Sequence, residues 1–231
     1  MASWLFKILG KDGATQTVVD TTHEAMRVSG RPMQLGARGA YGVALTTGVL
    51  PAALGANSEI FQFRFVHATF FALIRSVRVS AAVSTTAFIA GVPPTLEMRL
   101  ARAWTGQGTL GTGITFGAND GKKRTDFATT VMGAGDLRVA TTAALGAGTK
   151  TLDGTAFATV LGNTAGATVT TQIIDAGTIM WARDTTEEYP LLLENQEGFV
   201  IRSVQIPGTG TWTAAIHVEW AEIDPSATTG W

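Results

Sequence analysis

The chain has no cysteine among its 231 residues. Disulfides and thiolate metal sites are therefore excluded, and burial and strand pairing must hold the fold. Charge is also scarce: Asp, Glu, Lys and Arg make up 15% of the chain, against about 25% in an ordinary soluble domain. With a formal net charge of -1, copies of the chain repel one another only weakly, as suits a protein packed against neighbours. No apolar run approaches the roughly 18 residues of a membrane-spanning helix. The longest candidate is ATFFALI, Ala68 to Ile74, so no membrane association is expected. With no positive excess and no broad basic face, specific nucleic-acid binding is not expected either.

Long helical patterns are missing too, and short period-2 runs between Gly, Pro and Asn punctuation replace them. In EIFQFRFV, Phe61, Phe63 and Phe65 share one face of a strand. LIRSVRVSAAV puts Leu73, Val77, Val79, Ala81 and Val83 together, interrupted by Arg75. After GVPP, TLEMRLARAW aligns Leu96, Met98, Leu100 and Trp104. Weaker strands are expected in AMRVSG, YGVALTT, LRVAT, QIIDAGTIMWA and YPLLLE. The prediction is an all-β protein: a jelly-roll-like antiparallel β-sandwich of about eight to ten strands with long Gly/Thr-rich loops. The expected layout is an N-terminal arm at 1–22, one sandwich domain at 23–224 with a loop-rich insertion at about 105–171, and a tail at 225–231. One short helix is predicted in LDGTAFATVLGN, where Asp153 can cap, Ala156, Phe157, Val160 and Leu161 share a face, and Gly162 can close.

Motifs that could carry chemistry resolve into structural readings. GQGTLG, Gly106 to Gly111, matches G-x-G-x-x-G, but the continuation TGITFGANDGKK has no helical period. A pyrophosphate site needs a helix N-terminus there, so a Gly-Thr loop is expected instead. His23, His67 and His217 stand in no ligand spacing. His217 reads as a surface neighbour of Glu219. Asp184, Glu187 and Glu188 do not match an EF-hand loop, and no G-x-S-x-G elbow is present. The chain is therefore expected to be non-enzymatic and to use no cofactor or metal. Candidate partner contacts are Trp4, Leu5, Ile8 and Leu9, on one face of an amphipathic arm, and the cluster Lys122, Lys123 and Arg124. Of the six tryptophans, Trp104 and Trp181 lie at strand ends and are the candidates for stacking on a glycan.

The closing stretch, EGFVIRSVQIPGTGTWTAAIHVEWAEI, is the most regular. Trp212, Ala214, Ile216, Val218 and Trp220 alternate with polar positions, which makes both tryptophans core. Its partner strand changes face after Ile201, so a bulge is expected near Arg202 or Ser203. YPLLLENQEGFVIRSVQIPGTGTWTAAIHVEWAEI resembles the C-terminal end of structural proteins of tailed bacteriophages, with a weaker likeness in LRVATTAALGAGTKTLDGTAFATVLG. The resemblance implies a virion protein on the phage particle surface, made in the host cytoplasm. Within that group it implies a head decoration or cement protein that contacts the major capsid protein and self-associates, as a trimer at threefold positions. The alternative is a receptor- or glycan-binding domain of a phage tail or head appendage.

Overall fold

A computed structural model of the chain describes residues 19–20, 25–26, 38–52, 54–89, 93–162, 168–169, 172–183, 191–205 and 208–224. The chain divides into a unit at Met1–Pro32 and one at Met33–Trp231. In the first, β1 (Val19–Asp20) and β2 (Ala25–Met26) pair antiparallel. The arm residues Trp4, Leu5, Ile8 and Leu9 lie outside the described residues, as do His23, the acidic group at 184–188 and the tail at 225–231.

The second unit contains β3 (Gly39–Thr46), β4 (Leu50–Pro51), β5 (Ser58–Phe65), β6 (Phe71–Val83), β7 (Phe88–Ile89), β8 (Thr95–Gly106), β9 (Thr112–Ile114) and β10 (Leu137–Val139). There follow β11 (Thr149–Leu152), β12 (Ala158–Leu161), β13 (Thr168–Val169), β14 (Gln172–Ala182), β15 (Leu192–Leu193), β16 (Glu197–Gln205) and β17 (Thr211–Ile223). Two antiparallel sheets pack as a sandwich. Sheet A runs β14-β6-β17-β3, with β15 on β6 and β4 on β17. Sheet B runs β11-β8-β16-β5-β10-β9, with β12 also on β8. β7 and β13 form a separate pair. The long ladders nest: β3 pairs with β17, β5 with β16, β6 with β14, and β8 with β11 and β12. Contacts of β17 with β6 and of β16 with β8 join these pairs laterally into the two sheets.

Period 2 explains the core. Phe61, Phe63 and Phe65 are fully buried, as are Phe199, Ile201, Val218 and Trp220. Phe63 stacks on Phe199 at 5.1 Å and meets Trp220 of the opposite sheet edge-on at 5.4 Å. Trp212 is also buried, its indole N–H donating to the Pro51 carbonyl at 3.0 Å. The expected bulge is present: Ile201 pairs with Phe61, and Arg202 then pairs with Glu59.

Three expectations are corrected. LDGTAFATVLGN forms no helix: Ala158–Leu161 is a strand, paired with Thr95–Met98. The open edge of β8 offers this segment backbone partners, and Asp153 accepts from Arg102 at 3.2 Å rather than capping. Leu73 does not share the inner face of β6. The register slips between Glu219 and Trp220, bypassing Arg75, so Ile74 enters the main core while Leu73 joins Ala40, Ala221 and Ile223 in a second cluster. Trp104 also leaves its expected face. Ala103 has φ 50°, and beyond it Trp104 packs with Ala101 and Val200 on the outer side of sheet B. Within the span 105–171, β9 and β10 extend one edge of sheet B, and β11 and β12 the other.

Candidate functional site

The outer faces of the two sheets differ, and that difference defines the site. Sheet B is roofed by its own loops, pinned by charge-assisted hydrogen bonds. Arg64 donates to the carbonyls of Trp104 at 2.9 Å and Thr105 at 3.2 Å and pairs with Asp136 at 2.8 Å. Gln107 also donates to Asp136, at 2.9 Å. This fastens the GQGTLG segment to the sheet. No helix follows it; the chain continues into β9, as its sequence pattern indicates. On the other side, Glu97 accepts from Arg99 and Arg202. Arg99 also holds the carbonyls of Asp153 at 2.9 Å and Gly154 at 2.7 Å.

Trp104 belongs to this roofed face. It is fully buried, its indole N–H donates to the Gly106 carbonyl at 3.0 Å, and the Lys150 ammonium lies over its ring at 4.5 Å. No face of it is open to a sugar. Trp181 is half-buried, with the Phe157 ring 5.0 Å away. Of the two glycan candidates, only Trp181 keeps any exposure.

Among the described residues, no loop roofs the outer face of sheet A. The register of β3, β17 and β6 sets Ala44, His217 and Arg78 in one cross-strand row, and Thr46, Ala215 and Ser80 in the next. Thr213, Ala82 and Gln172 follow. Ala44, Thr46, Arg78, Ala82 and Ala215 are exposed. Because these side chains are small, the strands leave shallow hollows instead of ridges. One of about 250 Å³ is lined by Ala44, Arg78, Ser80, Gly177, Ala215 and His217. A second, of about 340 Å³, adjoins it through Ala44 and His217 and reaches Gly42, Lys122 and Lys123.

The cluster Lys122, Lys123 and Arg124 thus lies partly on the rim of this face. The Asn119–Gly121 turn delivers it, with Gly121 at φ 68°, and the Gly42 N–H donates to the Gly121 carbonyl at 2.8 Å. Lys123 pairs with Glu219 at 2.5 Å and Arg124 with Asp126 at 2.6 Å. Lys122 and Arg78 make no ion pair among the described residues. His217 stands 3.7 Å from Glu219, the surface neighbour expected from the sequence. The salt bridge lowers the Glu219 carboxyl below its usual range, outweighing its burial. The face therefore combines a floor of mostly small side chains, in which His217 and Arg78 stand, with Lys122 and Lys123 at its edge.

Sequence reading missed this floor. Its signal was the small residue at most wet positions of YGVALTT, RVSAAV and TWTAAIHV, Arg78 and His217 excepted, which period-2 analysis sorts correctly but marks only as solvent-facing.

A third feature sits at the end of β17. Glu222 is fully buried. It accepts from Arg38 at 3.1 Å, Thr130 and the Val131 N–H at 3.0 Å. Burial raises its carboxyl above the usual range despite these donors, and burial, then the Glu222 charge, raises the neighbouring Tyr41 phenol. The carboxyl anchors the 128–131 segment to sheet A and faces no cavity described above, so its role is structural. Among the described residues no group of three or more His, Asp or Glu could hold a metal ion, and no helix is long and apolar enough to cross a membrane. The chain matches no known protein-family model, no curated protein and no solved structure.

Proposed function

We propose that the chain is a non-enzymatic structural protein of a tailed-phage particle. In this reading it decorates the head, binds the major capsid protein and covers joints between capsomers, in association with other copies of itself. The outer face of sheet A carries the proposal. A floor of Ala, Ser and Thr lets another surface approach closely, and its burial releases water without stranding charge. Arg78 within the face and Lys122 at its edge favour an acidic partner and steer its approach. The weak overall charge and the resemblance of the closing hairpin support the same reading.

The strand order supports a jelly-roll form of the sandwich. The eight principal positions in chain order are β3, β5, β6, β8, the β11/β12 edge, β14, β16 and β17. The nested ladders join first to last, second to seventh, third to sixth and fourth to fifth. A long doubled-back hairpin rolled into two sheets has this order.

Quantitative mass spectrometry of purified particles tests the function. Decoration requires a stoichiometric copy number relative to the major capsid protein, and heads lacking the protein should break at lower temperature. A few copies per particle, confined to the tail, would overturn the proposal.

A further inference from the structure

We propose that Lys150 and Gln62 become joined by an intramolecular amide bond, formed by the chain itself with Glu59 carrying the protons. The three side chains meet under the loop that precedes β11, on the roofed face of sheet B. Gln62 is 1% exposed, and the side chains of Lys150 and Glu59 are 2% and 8% exposed. One carboxylate oxygen, Glu59 Oε2, accepts from Lys150 Nζ at 2.9 Å and from Gln62 Nε2 at 2.5 Å. The amine and the carboxamide are thus each one hydrogen bond from the same oxygen.

The orientation of Gln62 is set by its partners. Its nitrogen faces two acceptors, Glu59 and the Gly146 carbonyl at 3.0 Å, so that end is the NH2. The carbonyl oxygen Oε1 is buried and meets no donor among the described residues. It presses on Gly108, where a Cβ would sit 2.0 Å from it. A buried Lys–Glu ion pair would account for Lys150 and Glu59 alone. It does not account for a buried carboxamide locked beside them with its carbonyl unpartnered. That group is an electrophile tied to the same carboxylate oxygen as an amine.

The surroundings suit the reaction. Burial lowers the Lys150 ammonium below its ordinary range, with Glu59 acting against it, and the Trp104 ring closes the site over Nζ. Lys150 passes a proton to Glu59, and its uncharged Nζ attacks Gln62 Cδ. The Cδ–Nε2 bond breaks as Glu59 returns the proton to Nε2. The newly acylated Nζ then gives up its excess proton to the same carboxylate, which passes it to the departing ammonia, and the nitrogen leaves as ammonium. A lysine ammonium and a carboxamide become a secondary amide and one ammonium ion, with no oxidant or other reactant. The product fastens the edge strand β11, which carries Lys150, to the central strand β5, a covalent staple in a chain that has no cysteine to supply one.

Intact-mass measurement of the full-length, denatured protein tests this directly. The wild-type mass should fall below that of its sequence, with or without Met1, by one ammonia. A tryptic digest should yield a branched peptide linking Gln62 to Lys150, uncut after Lys150. Glu59→Gln and Lys150→Arg should each show the full mass of their own sequence. Wild-type protein at full mass would overturn the proposal, whether or not either variant folds. So would an ammonia loss that maps to an asparagine, and a bond that persists in Glu59→Gln would overturn the role of Glu59.

Discussion

Two buried carboxylates respond to acid in opposite senses. Burial works to raise Glu97, but the hydrogen bonds from Arg99 and Arg202 outweigh it and the net shift is downward. The unfolded chain therefore takes up this proton at a higher pH than the folded one. Its contribution to stability is complete above the ordinary carboxylate range and is lost as pH falls through the depressed folded value. Glu222 is raised by burial, so the folded chain takes up that proton first. Its contribution is complete below the ordinary range and is lost as pH rises through the raised value. Urea unfolding across pH separates the two. Glu97→Gln should cost about 1–3 kcal/mol near neutral pH and flatten the acid limb of the profile. Glu222→Gln should flatten the decline on the other side. An acid limb unchanged in Glu97→Gln would refute the role assigned to its arginine pairs.

At the scale of elements, stability should follow position in the sheets. β17 lies between β6 and β3, with both of its ladders long, whereas β12 is a four-residue strand on one edge of β8. Local opening is easiest where few buried contacts hold a strand. Amide hydrogen exchange should therefore be slowest in Ile216–Trp220 and faster by orders of magnitude in Ala158–Leu161. Equal protection of the two would contradict the assigned topology. The same contrast governs what could be read in advance. Strands with three or more alternating apolar residues, such as Phe61–Phe65 and Trp212–Trp220, were legible because period 2 is a local property. β12 was not, because over four residues the spacing of Val160 and Leu161 fits a helix equally well, and a distant edge on β8 decided between them. Trp104 and Leu73 were misplaced by one-residue slips, a positive φ at Ala103 and a bulge at Arg75. Such slips reverse every later side chain.

For the whole molecule, the two outer faces of the sandwich have different tasks. Sheet B spends its charged side chains on fastening its own loops, and its polar groups meet one another. Sheet A keeps a floor of small side chains free of ion pairs, and Ala215 stands at the centre of it, opposite both Thr46 and Ser80. That arrangement makes no contribution to the core, so a change at Ala215 isolates the face from the fold. On the proposed reading, Ala215→Glu places a charge where the capsid protein approaches closely, and that charge would have to be stripped of water. Because the site is exposed, the variant should keep its unfolding free energy to within about 0.5 kcal/mol. Binding to heads that lack the protein, measured by co-sedimentation, should nevertheless fall by at least about tenfold, the effect of roughly 1.4 kcal/mol at an interface. Arg78→Ala and Lys122→Ala act differently: they remove steering charge, so they should slow association and weaken its dependence on salt while leaving dissociation nearly unchanged. Undiminished binding by Ala215→Glu, with its fold intact, would move the capsid contact off sheet A.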